Sequence, residues 1–411
     1  MSKSRDWDVL RRLAEEVQSI SELPKQQETK ELWKHLNSLR PQRPMVLIDQ
    51  ICWHEMNVDD ELTLQTEDPF LQRFEDSLRK TIYQWKHLPV DMVVEPYIEV
   101  PPAVTGLGYG LRPKEDRAVT DERNSVVGHH YHDQLSTEDD LEKLKTPSIQ
   151  LDDKETHRRM EMAAEIFDGR LDVVMQGFPL NFAIWDRLVE LRGVTNPIMD
   201  LIDRPDFMHA TLRKMTDITM AMLDQLEDLG LLPSWQPTIH CSGAHVYELP
   251  APGYDPGHPR TKDIWTSGMA QIFATVSPAM HKEFELDYAE TFYARHGLVY
   301  YGCCEPLDGK MDIVRTIPNL RKVSMSPWTN AERGAAAIGG DLVLSRKPSP
   351  AFLAGDGFDI DAIEEDLRET MEICQRHSTP VEFILKDIST VSYQPERLWQ
   401  WAEVAMKIVM E

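Results

Sequence analysis

Short apolar runs recur along the whole chain: MVLIDQICW, DMVVEPYIEV, LDVVMQGFP, PTIHCSG, LVYYGCC, RKVSMSP, DLVLSR and VEFILKDIS. Amphipathic stretches separate most of them. A strand buried on both faces reads as a continuous apolar run, whereas a helix lying on a sheet shows apolar residues three and four apart. Alternation of the two dictates parallel strands joined by helical crossovers. About eight such units predict an α/β fold closed as a (β/α)8 TIM barrel, and a chain of 411 residues is long enough for one. Ahead of the first run, DWDVLRRLAEEV and QQETKELWKHLNSL carry helical spacing, and RPQRP (Arg40 to Pro44) breaks it. The expected division is a helical N-terminal extension over 1–40 and a barrel over 41–411. Asp68-Pro69 marks the entry of a further helix, and the long stretch from Pro205 ends at Gly230. No GxGxxG stands at the first strand-to-helix turn, which argues against a dinucleotide site.

Charge narrows the partners. Asp and Glu number 69 against 44 Lys and Arg, a formal net charge of −25. Such a surface repels nucleic-acid backbones and anionic membranes, so neither is expected as a partner. MSKSRDWDVLRRLAEEVQ has no apolar core of a signal peptide, and no run is long enough to span a membrane. The five cysteines are odd in number and follow no framework spacing, which reads as free thiols in a cytoplasmic protein.

In a parallel barrel, function collects at the C-terminal ends of the strands. Those ends are where this chain places its chemistry: Trp53-His54-Glu55, His240-Cys241, Cys303-Cys304-Glu305 and Lys386-Asp387. YYGCCEPLDGK puts two adjacent thiols and a carboxylate just before a Pro and a Gly. Neighbouring side chains on a strand alternate, so one residue of His240/Cys241 and one of Cys303/Cys304 would point inward as metal ligands, with Glu305 as a third. The bland alternative is that Cys241 and Cys303 are small buried hydrophobes and His240 a satisfied polar residue. His54, Glu55, Glu305 and Lys386 are the candidate acid, base or anion-binding groups. Trp53, Arg187 and Arg192 are assigned to substrate, although structural ion pairs would also account for the arginines. GHHYHD, with His129, His130 and His132, reads as a solvated loop or lid. Cys52 and Cys374 read as core thiols, and Trp33, Trp399 and Trp401 as packing.

The segment LRGVTNPIMDLIDRPDFMHATLRKMTDI, followed by VSPAMHKEFELDYAETF with Ser277, Pro278 and Met280, resembles the uroporphyrinogen decarboxylase superfamily, and more narrowly its corrinoid-linked methyltransferase branch. The resemblance runs with gaps from about residue 40 to the C-terminus and implies the same barrel with a helical extension. Decarboxylases proper carry an Arg-Gln-Ala-Gly-Arg segment after the first strand. Here that place reads Ile51-Cys52-Trp53-His54-Glu55, without arginine. Zinc enzymes of the methyltransferase branch use His-x-Cys on one strand and a later Cys. In VYYGCCEPL, Cys304 takes the Cys position, Gly302 stands where the His would be, and LSRKPSP supplies no later Cys.

The resemblance implies a methyltransferase that moves a methyl group between a small methylated substrate, such as a methoxylated aromatic in O-demethylation, and a corrinoid-binding partner protein. Zinc assistance, with ligands relocated to His240, Cys241, Cys303 and Cys304, and a homodimer belong to the same expectation. A metal-independent decarboxylase using Arg187, Arg192, Arg346 and Lys386, or a barrel that binds a corrinoid or tetrapyrrole without turnover, are the alternatives.

Overall fold

The computed structural model describes residues 2–119, 121–124 and 126–411, with side chains from residue 5 onward. Eight parallel strands, numbered β1 to β8 along the chain, form its centre: Met45–Ile48, Tyr97–Val100, Asp172–Met175, Trp265–Gly268, Leu298–Tyr301, Leu320–Met325, Val343–Arg346 and Val381–Leu385. Six of them make one parallel sheet in the order β1-β8-β7-β6-β5-β4, and β2 and β3 make a second. Single contacts reach across both seams. The Asp91 N–H donates to the Val46 carbonyl at 2.9 Å beside β1, and Phe182 bridges to Gly268 on β4. The protein is thus a mixed α/β molecule of barrel-like arrangement.

β1 to β3 and β5 to β8 fall on the apolar runs, and every residue of β1, β5, β7 and β8 is buried. β4 is buried throughout as well but falls on none of the runs, since Thr-Ser-Gly after Trp265 gives no apolar signal. Among the runs, PTIHCSG is the exception. It folds as a minimal antiparallel hairpin, Thr238–Ile239 against Ser242–Gly243. His240 and Cys241 are its two turn residues, at φ +44° and +68°, the left-handed backbone that a two-residue hairpin demands. The expected barrel strand there is corrected to this plug.

The helices Ser2–Ser21 (α1) and Pro24–Asn37 (α2) fill the first 40 residues. Val9, Leu10, Leu13 and Val17 of α1 join Phe74, Leu78, Ile166 and Phe167 in a core cluster that also takes in β2. From α2, Trp33 and Leu36 enter the main core. The Trp33 indole donates to the Asp91 carbonyl at 2.8 Å and packs so closely on the hairpin that a Cβ at Gly243 would lie 2.4 Å from its ring. Asn37 Nδ2 donates to the carbonyls of Gly243 and His245. Glycine at 243 is therefore a steric requirement. Trp401 is buried, Trp399 stacks on His87 at 4.3 Å, and Cys52 and Cys374 are buried. Among the described residues no helix is long and apolar enough to cross a membrane.

Behind β5 lies a buried polar chain. The Tyr301 hydroxyl donates to Glu285 at 2.9 Å and meets His281 Nε2 at 2.6 Å, and Lys310 Nζ lies 3.2 Å from His281 Nδ1. Burial pushes Glu285 up to about 8 and His281 down to about 3. A carboxyl raised from 4.5 to about 8 keeps its proton in the folded state after the unfolded chain has lost it. Its contribution is therefore full below the unfolded value and disappears as pH rises through the folded one. Replacing it with an amide removes that loss. Glu285→Gln is expected to raise the melting temperature relative to wild type more at about pH 9 than at about pH 5, read by thermal melts at both.

Candidate active site

The C-terminal ends of the strands converge on a sulfur-rich cluster. Gly302 closes β5 at φ +93°, and a Cβ there would meet Leu307 at 2.4 Å, so the chain turns at once and lays Cys303, Cys304 and Glu305 across the strand ends. Glu305 is fully buried and accepts the N–H groups of Ala270 and Cys303, each at 2.9 Å, which fixes the turn. Burial raises its carboxyl to about 7. Cys303 is buried and Cys304 exposed, with their sulfurs 3.7 Å apart.

After β8, Lys386 reaches back so that Nζ lies 3.2 Å from Cys303 Sγ and 3.2 Å from Asp387 Oδ2. The surroundings of the thiol pair favour negative charge on Cys303. The hydrogen bond from Cys304 lowers its pKa most; burial opposes this, and His240 and Lys386 add to the lowering. Cys304 is driven the other way, by that same bond and then by burial. Burial works against the charge of Lys386, but Cys303, Asp387 and Cys241 together hold its ammonium above the ordinary range.

From the hairpin turn, His240 faces Cys303; burial lowers its pKa, and Nε2 is buried without a hydrogen-bond partner. Cys241 lies on the side of Asp49, its thiol pushed up to about 12 by burial. Lys347, following β7, donates to Tyr300 Oη at 2.5 Å and Ser345 Oγ at 2.7 Å, and burial lowers it to about 8. Asp186, in the first turn of the helix Ile184–Arg192, accepts from Gln271 at 2.7 Å and is raised by burial to about 6, with Cys303 adding to the rise. A cavity of about 490 Å³ lies at the seam between β1 and β2, lined by Asp49, Tyr97, Glu99, Cys241 and His245 among others. A second, of about 390 Å³, is walled by Tyr109, Phe178, Leu180 and Met222 with Arg187 at its edge.

Of the residues singled out from sequence, His240, Cys303, Cys304, Glu305 and Lys386 are brought together, with Cys241 beside them. Trp53, His54 and Glu55 form a 3-10 turn after β1. Glu55 accepts from Thr390 Oγ1 (2.6 Å) and from the amides of Val391 (2.8 Å) and Tyr393 (2.9 Å). Burial works against its charge, yet these donors outweigh it and hold the carboxyl low. Glu55 thus braces the loop after β8. His54 packs edge-on to Tyr393, and Trp53 edge-on to Tyr83 beneath Lys80. Arg192 is buried between Asp133 and Asp200, and Arg346 donates to the Ser326 carbonyl. Arg187 is exposed and pairs with Glu190 at 2.8 Å. GHHYHD is corrected from loop to strand, since Gly128–Tyr131 pairs antiparallel with Glu115–Ala118. Asp49, Asp186, Gln271 and Lys347 were not among the residues singled out from sequence, although Asp49 and Lys347 directly follow apolar runs.

No family model matches the chain, and no curated protein matches it in sequence. Its structure is similar to that of a methyltransferase from Methanosarcina mazei, with a TM-score of 0.52 over 92% of this chain and 98% of that one. Identity between the two is 12%. What they share is a fold.

Zinc asks for about four donors gathered tetrahedrally, three from protein in a catalytic site. The unpartnered His240 Nε2 and the Cys303 thiolate suit it. A third donor is not in place, and the cation in contact with the thiolate is the Lys386 ammonium. Among the described residues, the one group of three His, Cys, Asp or Glu ligand atoms within 4.8 Å of one another is Asp116, His130 and His132, all exposed. As arranged, the sulfur cluster does not fit a zinc ion.

Proposed function

We propose that this protein is a methyltransferase of the uroporphyrinogen decarboxylase type, built on a closed (β/α)8 barrel, that removes a methyl group from a small methylated compound and passes it to a corrinoid on a separate carrier protein. The observation that carries the reading is the Lys386–Cys303–Cys304 cluster at the strand ends, in a fold similar to that of a methyltransferase. The acceptor, as a second substrate, would supply the nucleophilic metal centre.

A methyl ether holds its methyl because the departing oxygen is a poor leaving group. Catalysis therefore requires charge stabilisation at that oxygen as the bond breaks. Lys386 offers a cation held charged by its neighbours, with the exposed Cys304 thiol beside it. Asp186, raised towards neutrality by burial with Cys303 adding to the rise, is the group suited to give or take a proton. Both oxygens of Glu305, by contrast, are taken up by the amides of Ala270 and Cys303. Exposure of Cys304 leaves the cluster open to a large acceptor approaching from solvent.

The test is direct. Purified protein is incubated with methoxylated aromatics and other methylated small molecules in the presence of reduced cobalamin, and formation of methylcobalamin is followed by its absorbance. Transfer from at least one donor class is expected. Absence of transfer from every class, with free cobalamin and with corrinoid proteins, would refute the reading.

A further inference from the structure

We infer that Cys303 and Cys304 are a site of reversible oxidation by peroxides, closing to a disulfide between adjacent residues. This rests on the geometry of the pair alone and stands whether or not the proposed methyl transfer is correct. The two sulfurs already lie 3.7 Å apart, one exposed and one buried beneath it. Their shared backbone is held on both sides. The Cys303 N–H is bound by Glu305 at 2.9 Å and its carbonyl accepts from Ser324 Oγ at 2.8 Å. An oxidant therefore meets Cys304 first, with its partner already in place.

The chemistry balances with one peroxide. The proton between the two sulfurs moves from Cys304 to the buried Cys303, and the exposed Cys304 thiolate attacks a peroxide oxygen. The O–O bond breaks, and the departing hydroxide takes a proton from solvent to leave as water; Cys304 becomes a sulfenic acid. The Cys303 sulfur then attacks the Cys304 sulfur, the S–O bond breaks, and a second water leaves. Two thiols have lost two hydrogens, and one hydrogen peroxide has become two waters. Consecutive Cα atoms lie about 3.8 Å apart, below the roughly 4.4–6.8 Å spanned by most disulfides, so the product is strained and easily reduced. Closure also takes from Lys386 the thiolate it contacts.

Full-length protein is treated with hydrogen peroxide, its remaining thiols are alkylated after denaturation, and the tryptic segment from His296 to Lys310 is weighed. We expect that segment to lose two hydrogens and escape alkylation, two of the five thiols to disappear, and dithiothreitol to restore both. Cys304→Ser should abolish the mass change, whereas Cys241→Ala should leave it intact. Three results would overturn the inference: a sulfinic or sulfonic acid on Cys304 with Cys303 still alkylated, a disulfide joining either residue to Cys241, or no change in the segment.

Discussion

Glu382→Ala is expected to destabilise the protein by about 3–5 kcal/mol, the cost of stranding a charge in a core. Lys322 and Glu382 are wholly buried inside the strands, with Nζ and Oε2 2.7 Å apart. The ammonium also donates to Ser242 Oγ at 2.6 Å and to the Gly243 carbonyl at 3.0 Å, and it lies 5.2 Å from the Trp33 ring centre. Ser242 Oγ in turn donates to Glu382 at 2.9 Å. Without the carboxylate, the lysine keeps neutral partners only and must be desolvated against them. The double variant Lys322→Met/Glu382→Leu removes both desolvation penalties, so it should recover most of the loss. Urea unfolding of the three proteins tests this. A single variant within about 1 kcal/mol of wild type would show the pair to be unimportant. The loss should also reach the site, since Ser242 anchors the hairpin that presents His240 and Cys241.

In the proposed methyl transfer, Lys386→Met should lower turnover about 10²- to 10³-fold, the usual effect of removing one preorganised donor from a developing anion. Nζ is the cation in contact with Cys303, and methionine keeps the length of the side chain without the charge. Lys386→Arg should retain more activity than methionine. A second readout separates this role from packing: without the ammonium, Cys303 holds its thiolate less well, so alkylation by iodoacetamide near neutral pH should slow. Equal turnover in wild type and Lys386→Met would remove Lys386 from the mechanism. Slower turnover with unchanged alkylation would assign it a purely structural part.

Much of this architecture could be read from residues, and the failures have physical causes. β1 and β5 to β8 were visible because strands buried on both faces must be apolar throughout, as LVYY and VEFIL are. Position did the rest for Cys303, Glu305 and Lys386, which stand where those runs stop. PTIHCSG misled because alternation was assumed to continue, and nothing in His-Cys announces a left-handed turn, for which Asn-Gly is the usual sign. Glu55 and Arg192 carry the residue types of a catalytic acid and an anion clamp. Whether a charge meets substrate or a loop amide depends on contacts far away in the chain, such as Glu55 with Val391. Asp186 was invisible for another reason: its perturbation comes from burial, which a sequence does not display.

The division of the strands into a set of six and a pair has a kinetic meaning. The pair, β2 and β3, shares its core cluster with α1 and the helices Pro69–His87 and Asp153–Phe167, apart from the main core. Segments with their own ladder and their own apolar cluster open as a cooperative unit, below the free energy of global unfolding. In this molecule that unit forms one wall of the cavity that reaches Cys241 and Asp49. Breathing of the smaller unit would therefore act as a side door, admitting small molecules to the sulfur cluster from the flank of the barrel rather than through the strand ends.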